Sequence, residues 1–207
     1  MNKKTKKILL IICIIVLIYF IGGIFYANKP KKNNVKKEVK QSLTIKGFNY
    51  ILYEDDLDVY KSEFKLLKKN LENKEIDYEE YAKSISKMFI ISLYSLDTKD
   101  NMYDVGGVEF IYPDYVENYK LNVQNTLYKY MKDNSDNKRN QILPTVSKVT
   151  VDSIEPTKFT FNEKTYDGYK IKSKIEYVED LGYDKEAEII LVRDDKYWRI
   201  IKWFKYQ

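Results

Sequence analysis

Twenty consecutive residues without a charge, Ile8 to Ala27, constrain this chain more than any other feature in it. As a helix rising about 1.5 Å per residue, such a run covers about 30 Å, the thickness of a bilayer's hydrocarbon core. A globular protein would have to hide that helix on every side, and the rest of the sequence offers little apolar material to surround it. A cleaved signal peptide fits less well. Lys3, Lys4, Lys6 and Lys7 would make its basic start, but the run exceeds the roughly 7–15 residues of a signal core, and Phe25 is bulky where cleavage wants a small residue. Ile12 before Cys13 likewise disfavours lipoprotein processing. The reading is a single transmembrane helix at residues 8–27 behind a cytoplasmic tail, residues 1–7.

Charge leaves the orientation contested, because six lysines lie between Lys29 and Lys40 against four in the tail. A short tail with four lysines is nevertheless costly to translocate, and an N-terminal apolar segment before one folded domain enters export as a signal anchor. The expected arrangement is N-terminus inside and C-terminal domain outside the cytoplasmic membrane. Ile8 to Ala27 and the flanking lysines are then the lipid-contacting parts, the lysines meeting anionic head groups. Residues 28–42 are polar, lysine-rich and interrupted by Pro30, which reads as a linker.

The net charge of +5 suggests a nucleic-acid partner until it is divided by region. Residues 1–40 hold ten Lys and one Glu, a net of +9, which leaves 26 Lys or Arg against 30 Asp or Glu in residues 41–207, a net of −4. The basicity belongs to the anchor, so no nucleic acid is expected. There is no histidine, and Cys13 is the only cysteine. Internal disulfides, Cys/His zinc sites and histidine-based triads are thereby excluded. Carboxylate-only or Lys/Tyr chemistry survives, without a recognisable pattern; the expectation is a non-enzyme with no cofactor and no metal.

Residues 43–207 read as one domain. Leu43 to Tyr53 suggests an edge strand. Asp55 and Asp56 offer a cap for a first helix with Leu57, Tyr60, Phe64, Leu67 and Leu71 on one face. Asp77 and Glu80 have capping-box spacing ahead of a stronger helix, whose Tyr78, Tyr81, Ile85, Met88, Phe89, Ser92 and Leu96 share a face. After a loop over 97–107, Val108 to Tyr112 reads as extended. Pro113 opens a third helix running to about Lys132. Asp133 to Asn140 is a polar breaker. Beyond Pro144 the period becomes two: Val149 and Val151, then Phe159 and Phe161 past a break at Pro156. The clearest strand follows, with Tyr169, Ile171, Ser173, Ile175 and Tyr177 facing one way and Lys170, Lys172, Lys174 and Glu176 the other. Ile189 to Val192 is apolar on both faces and reads as central, and Tyr197 to Tyr206 forms the last strand.

Helices followed by hairpin-linked strands define an α+β domain, with two or three helices packed on a curved antiparallel sheet of about four strands. With one membrane anchor in front, this order resembles extracytoplasmic NTF2-like (cystatin-like) domains, including the VirB8 and TcpC types of bacterial conjugation machinery. The resemblance covers residues 54–207 and rests on element order. The stretch Ser86 to Tyr115, containing LYSLDTKDNMYDVGGVEFIYPDY, also resembles single-pass proteins of low-GC Gram-positive bacteria. The NTF2-like resemblance implies a sheet with a concave face able to hold a pocket, and the second resemblance brings no activity with it. The anchor, the short stalk and the absence of reactive groups point to a role in assembling an envelope complex.

Candidate sites are few. Asp104, Gly106 and Gly107 suggest a phosphate loop but lack GxGxxG or GK[ST] spacing, and a turn needing positive φ explains them. Glu54, Asp55, Asp56 and Asp58 lack calcium-loop spacing and suit a helix N-terminus. Asp180 and Asp184, flanking Gly182, read as turn residues. Tyr169, Tyr177, Trp198 and Trp203 are the candidates to line a pocket or interface on the concave face. The expected function is a membrane-anchored, non-enzymatic interaction or assembly domain with a protein partner or a second copy. The alternative is a module that binds a small ligand, lipid or peptide beside Trp198 or Trp203.

Overall fold

The structure is a computed structural model that describes residues 41–161 and 163–205. The tail, the expected span Ile8–Ala27 and the linker through residue 40 lie outside the described residues, as do Asn162, Tyr206 and Gln207. Among the described residues no helix is long and apolar enough to cross a membrane.

The domain is α+β, with three helices packed against a four-stranded antiparallel sheet. The helices are α1 (Asp58–Leu71), α2 (Tyr78–Tyr94) and α3 (Val116–Asn125). The strands β3 (Val146–Phe161), β4 (Lys164–Tyr177), β5 (Glu186–Asp194) and β6 (Tyr197–Lys205) form a meander in the order β3-β4-β5-β6, so β5 lies between two neighbours. Residues 41–53 hold two short strands, β1 (Gln41–Thr44) and β2 (Ile51–Tyr53), folded about Gly47 at φ +80°. The single edge strand expected there is therefore a small hairpin. Its Tyr50 hydroxyl shares a 2.7 Å hydrogen bond with that of Tyr81 on α2.

Local chemistry explains where the helices begin and end. Asp77 caps α2, its carboxylate accepting from the backbone N–H of Glu79 and Glu80 at 3.0 Å. Glu80 turns to Lys83 instead of completing the box. Asp56, expected to cap α1, accepts at 2.7 Å from the N–H of Tyr53 and closes the preceding turn, so α1 starts at Asp58 after Leu57. α1 buries the expected stripe of Tyr60, Phe64, Leu67 and Leu71 against α2, and Lys87 and Glu63 pair at 3.1 Å across that contact. α2 is buried on nearly all sides, Ala82, Ile90, Ile91 and Leu93 included, because α1 covers the surface that the sheet does not.

Two expectations fail for identifiable reasons. The third helix stops at Asn125, seven residues early. The Asn125 amide and the Thr126 hydroxyl donate to the carbonyls of Leu121 and Asn122, and Thr126 leaves the helical region. The chain then turns inward so that Tyr128, fully buried, donates to Leu93 O at 2.8 Å. Val108–Phe110 is a 3-10 turn set up by Gly107 at φ +75°, and only Ile111 bridges to Ile200 of β6.

β3 runs unbroken through Pro156, which pairs with Tyr169. Proline is tolerated there because β3 is an edge strand and needs no N–H on its open side. β3 and β4 extend beyond β5, whose last partner on β4 is Gly168. The far end of this hairpin coils across the sheet: Phe161 stacks on Tyr166 with centroids 4.5 Å apart and meets Tyr112 edge-on at 5.0 Å. Tyr112 is itself bonded through its N–H to Ile200 O of β6, so aromatic rings from the two edges of the sheet meet. They cover Val192 and Ile201 in a small second core, while the main core lies between helices and sheet. On the remaining outer face, Lys148–Glu176, Lys174–Asp152, Lys170–Glu155 and Lys172–Glu188 form cross-strand ion pairs at 2.9–4.0 Å. Such pairs add little stability, but they leave that face close to neutral.

Candidate functional site

Two concave features at the surface of the domain bring together residues singled out from the sequence. The first is a groove of about 460 Å³ on the helix-facing side of the sheet, beyond the N-terminal end of α2. Its cause is the coiling of the β3–β4 hairpin: the strands outrun both β5 and the helix layer, so the residues just past the core face open space. Pro156, Lys158, Asp167 and Tyr169 come from the hairpin, Arg193 and Trp198 from β5 and β6, and Tyr78 from α2.

Trp198 is 3% exposed and forms a fixed wall, its indole N–H donating at 3.0 Å to the Tyr78 carbonyl. Half-buried Tyr169 lies against it with ring centroids 5.2 Å apart. The Arg193 guanidinium stacks 4.0 Å above the Tyr78 ring, and its Nε donates to Asp195 O. Gly168 has no room for a side chain, because a Cβ would stand 2.4 Å from the carbonyl oxygen of Leu191; this close approach holds the hairpin to β5 at the edge of the groove.

Of the four aromatic residues singled out from the sequence, Tyr169 and Trp198 meet here. Trp203 lies 4.7 Å from Tyr119 and 6.5 Å from Phe89, packed against the main core. Tyr177 pairs with Tyr183 and donates to Asp184 O. The centre of the helix-facing side is filled by Ile171, Ile175, Ile189, Leu191 and Ile200, so the groove sits at one end of the sheet and not within it. Asp180 accepts from the Gly182 N–H and pairs with Lys185, whose charge holds its carboxyl below the usual range.

The second feature is a cleft of about 320 Å³ between α1, α2 and the loop before α3. It brings together residues that the sequence keeps apart: Asp56 of the acidic cluster, Asp104, Gly106 and Gly107 of the glycine loop, and Tyr60, Lys99 and Glu109. The glycines serve packing. A Cβ on Gly106 would lie 2.0 Å from the Ser92 carbonyl oxygen, and the Gly106 carbonyl accepts from the Tyr119 hydroxyl. Glu109 went unnoticed in the sequence, where nothing distinguishes it; its place in the cleft depends on contacts 49 residues apart, the Tyr60 hydroxyl donating to it at 3.3 Å.

Burial pushes the carboxyls of Asp56 and Glu109 upward, with Lys99 pulling both back. Glu109 as a residue still keeps more than a third of its surface in solvent, which screens the charge and keeps the energetic effect small. The sign is nonetheless definite. Ionisation of a carboxyl whose folded value is raised works against the fold, and that cost vanishes below its ordinary value of 4.5, where the group is protonated in both states. Glu109→Gln should therefore raise the thermal midpoint at about pH 8 and leave it unchanged at about pH 4. Among the described residues no group of carboxylates is placed to hold a metal ion.

No known protein family, no curated protein and no solved structure matches this chain.

Proposed function

We propose that the chain is a membrane-tethered, non-enzymatic interaction domain, anchored by Ile8–Ala27 with its folded part outside the cytoplasmic membrane, and that it binds a protein partner through the groove beside Trp198. The groove carries this reading. It presents ring faces, a proline and a stacked guanidinium on a rigid sheet end, the side-chain types enriched where proteins recognise one another. Three helices on one face of a four-stranded meander support the NTF2-like reading of the domain, and the uncharged run supports the anchor. The nearly neutral outer face of the sheet offers no basic stripe for a nucleic acid.

The test uses the full chain in its native membrane. It should sediment with membranes and resist extraction by salt or alkaline carbonate, whereas deletion of residues 1–27 should release it to the aqueous fraction. Protease added to intact cells stripped of wall should digest the domain. A photo-crosslinking amino acid at Tyr169 should capture a defined partner, and the same probe at Lys148, on the outer face, should not. Recovery of the full chain in the aqueous fraction, or equal capture from both positions, would overturn the proposal.

A further inference from the structure

The groove also limits what it can hold, an argument that rests on its being the recognition surface. Three charged side chains line it. Asp167 faces Lys158 directly across the hairpin, their charged atoms 3.5 Å apart. Arg193 has no ion pair among the described residues; its side chain is held by the Tyr78 ring beneath it and by the Asp195 carbonyl. A guanidinium so restrained keeps its planar fork available and has already lost much of the rotamer freedom that binding would otherwise cost, which favours capture of a carboxylate. Lys158 and Arg193 against Asp167 leave the lining with a net charge of +1. Beside the cation, Tyr169 and Pro156 offer apolar surface suited to a ring, with buried Trp198 backing Tyr169.

We infer that the occupant is a peptide segment of the partner in which an acidic side chain stands next to an aromatic one, the carboxylate on Arg193 and the ring against Tyr169 and Pro156. The volume of about 460 Å³ lies in the range of sites that enclose a few side chains.

The test is calorimetric titration of the full chain, held in nanodiscs of a neutral lipid, with three capped tetrapeptides: acetyl-Glu-Phe-Glu-Phe-amide, its Lys-Phe counterpart and its Glu-Ala counterpart. The Glu-Phe peptide should bind, and the other two should bind at least about tenfold more weakly. Arg193→Gln should cost the Glu-Phe peptide about tenfold and abolish its advantage over the Lys-Phe peptide, with the thermal midpoint unchanged. Tyr169→Ser should weaken both Phe peptides.

Equal affinity for the Glu-Phe and Lys-Phe peptides, insensitivity to Arg193→Gln, complete displacement by an equal concentration of inorganic phosphate, or no binding of the Glu-Phe peptide would each overturn the inference. The functional reading fails separately. If Tyr169 captures a partner in membranes while peptide charge is irrelevant, only the occupant's chemistry is wrong; if Tyr169 captures nothing, the groove is not the recognition surface.

Discussion

Gly106→Ala should destabilise the domain by about 3 kcal/mol or more, a large fraction of the 5–15 kcal/mol that holds a typical domain together. The added methyl would stand 2.0 Å from the backbone oxygen of Ser92 and 2.6 Å from its carbonyl carbon. Neither atom can yield without moving α2, the helix at the centre of the core. The displaced loop also carries the Gly106 carbonyl, which satisfies the buried Tyr119 hydroxyl, and the Gly106 N–H, which reaches the buried Tyr128 hydroxyl at 3.4 Å. Urea unfolding followed by tryptophan fluorescence would measure the loss. Gly182→Ala is the control: Gly182 bends the chain at positive φ, +77°, where Gly106 does not, but has open space around it and should lose only about 1 kcal/mol from backbone strain. Equal effects at the two positions would show that close approach to α2 is not what requires glycine at 106.

The second large effect is expected at Arg139, in a segment whose composition reads as a polar breaker. Its side chain is only 2% exposed. The guanidinium donates to the carbonyls of Asp97 and Lys99 at 2.8 Å and of Lys132 at 3.4 Å, and to the Asp97 carboxylate at 3.4 Å. It thereby ties the loop after α2 to the loop before β3. Arg139→Ala would leave these acceptors without their donor and a cavity among them, at a cost of about 2–3 kcal/mol. Arg139→Lys should restore little, since an ammonium cannot span carbonyls on separate segments as the guanidinium fork does. The readouts are the urea midpoint and the rate of proteolysis within residues 97–104 and 132–140, which should rise together for both variants. A lysine variant with full stability would mean that the charge matters and the fork does not.

Both effects come from residues whose importance depends on distant partners, and the same division runs through the candidate sites. The two glycines at 106 and 107 read from sequence as a turn, which is what they form, yet their closeness to Ser92 and Phe89 depends on how the loop meets α2. Tyr169 and Trp198 could be proposed as concave-face aromatics from the alternation of their strands. Their meeting, and the separation of Tyr177 and Trp203 from them, follows from how far the β3–β4 hairpin outruns β5. Arg193 and Glu109 carried no local signal, since a charged residue near a strand end or in a short turn is ordinarily a solvated one.

What the residues determined by themselves is whatever depends on near neighbours along the chain. The cap at Asp77, the buried stripe of α1, the alternation of β4, the turn at Gly182 and the uncharged run at Ile8–Ala27 all rest on interactions or periodicities within a few residues. Tertiary structure alone decided the early end of α3, the continuous passage of β3 through Pro156, the coiling of the hairpin and the two surface features. In each of these the competing local conformations differ by little, and contacts between segments far apart in sequence, such as Tyr128 with Leu93 or Phe161 with Tyr112, tip the balance.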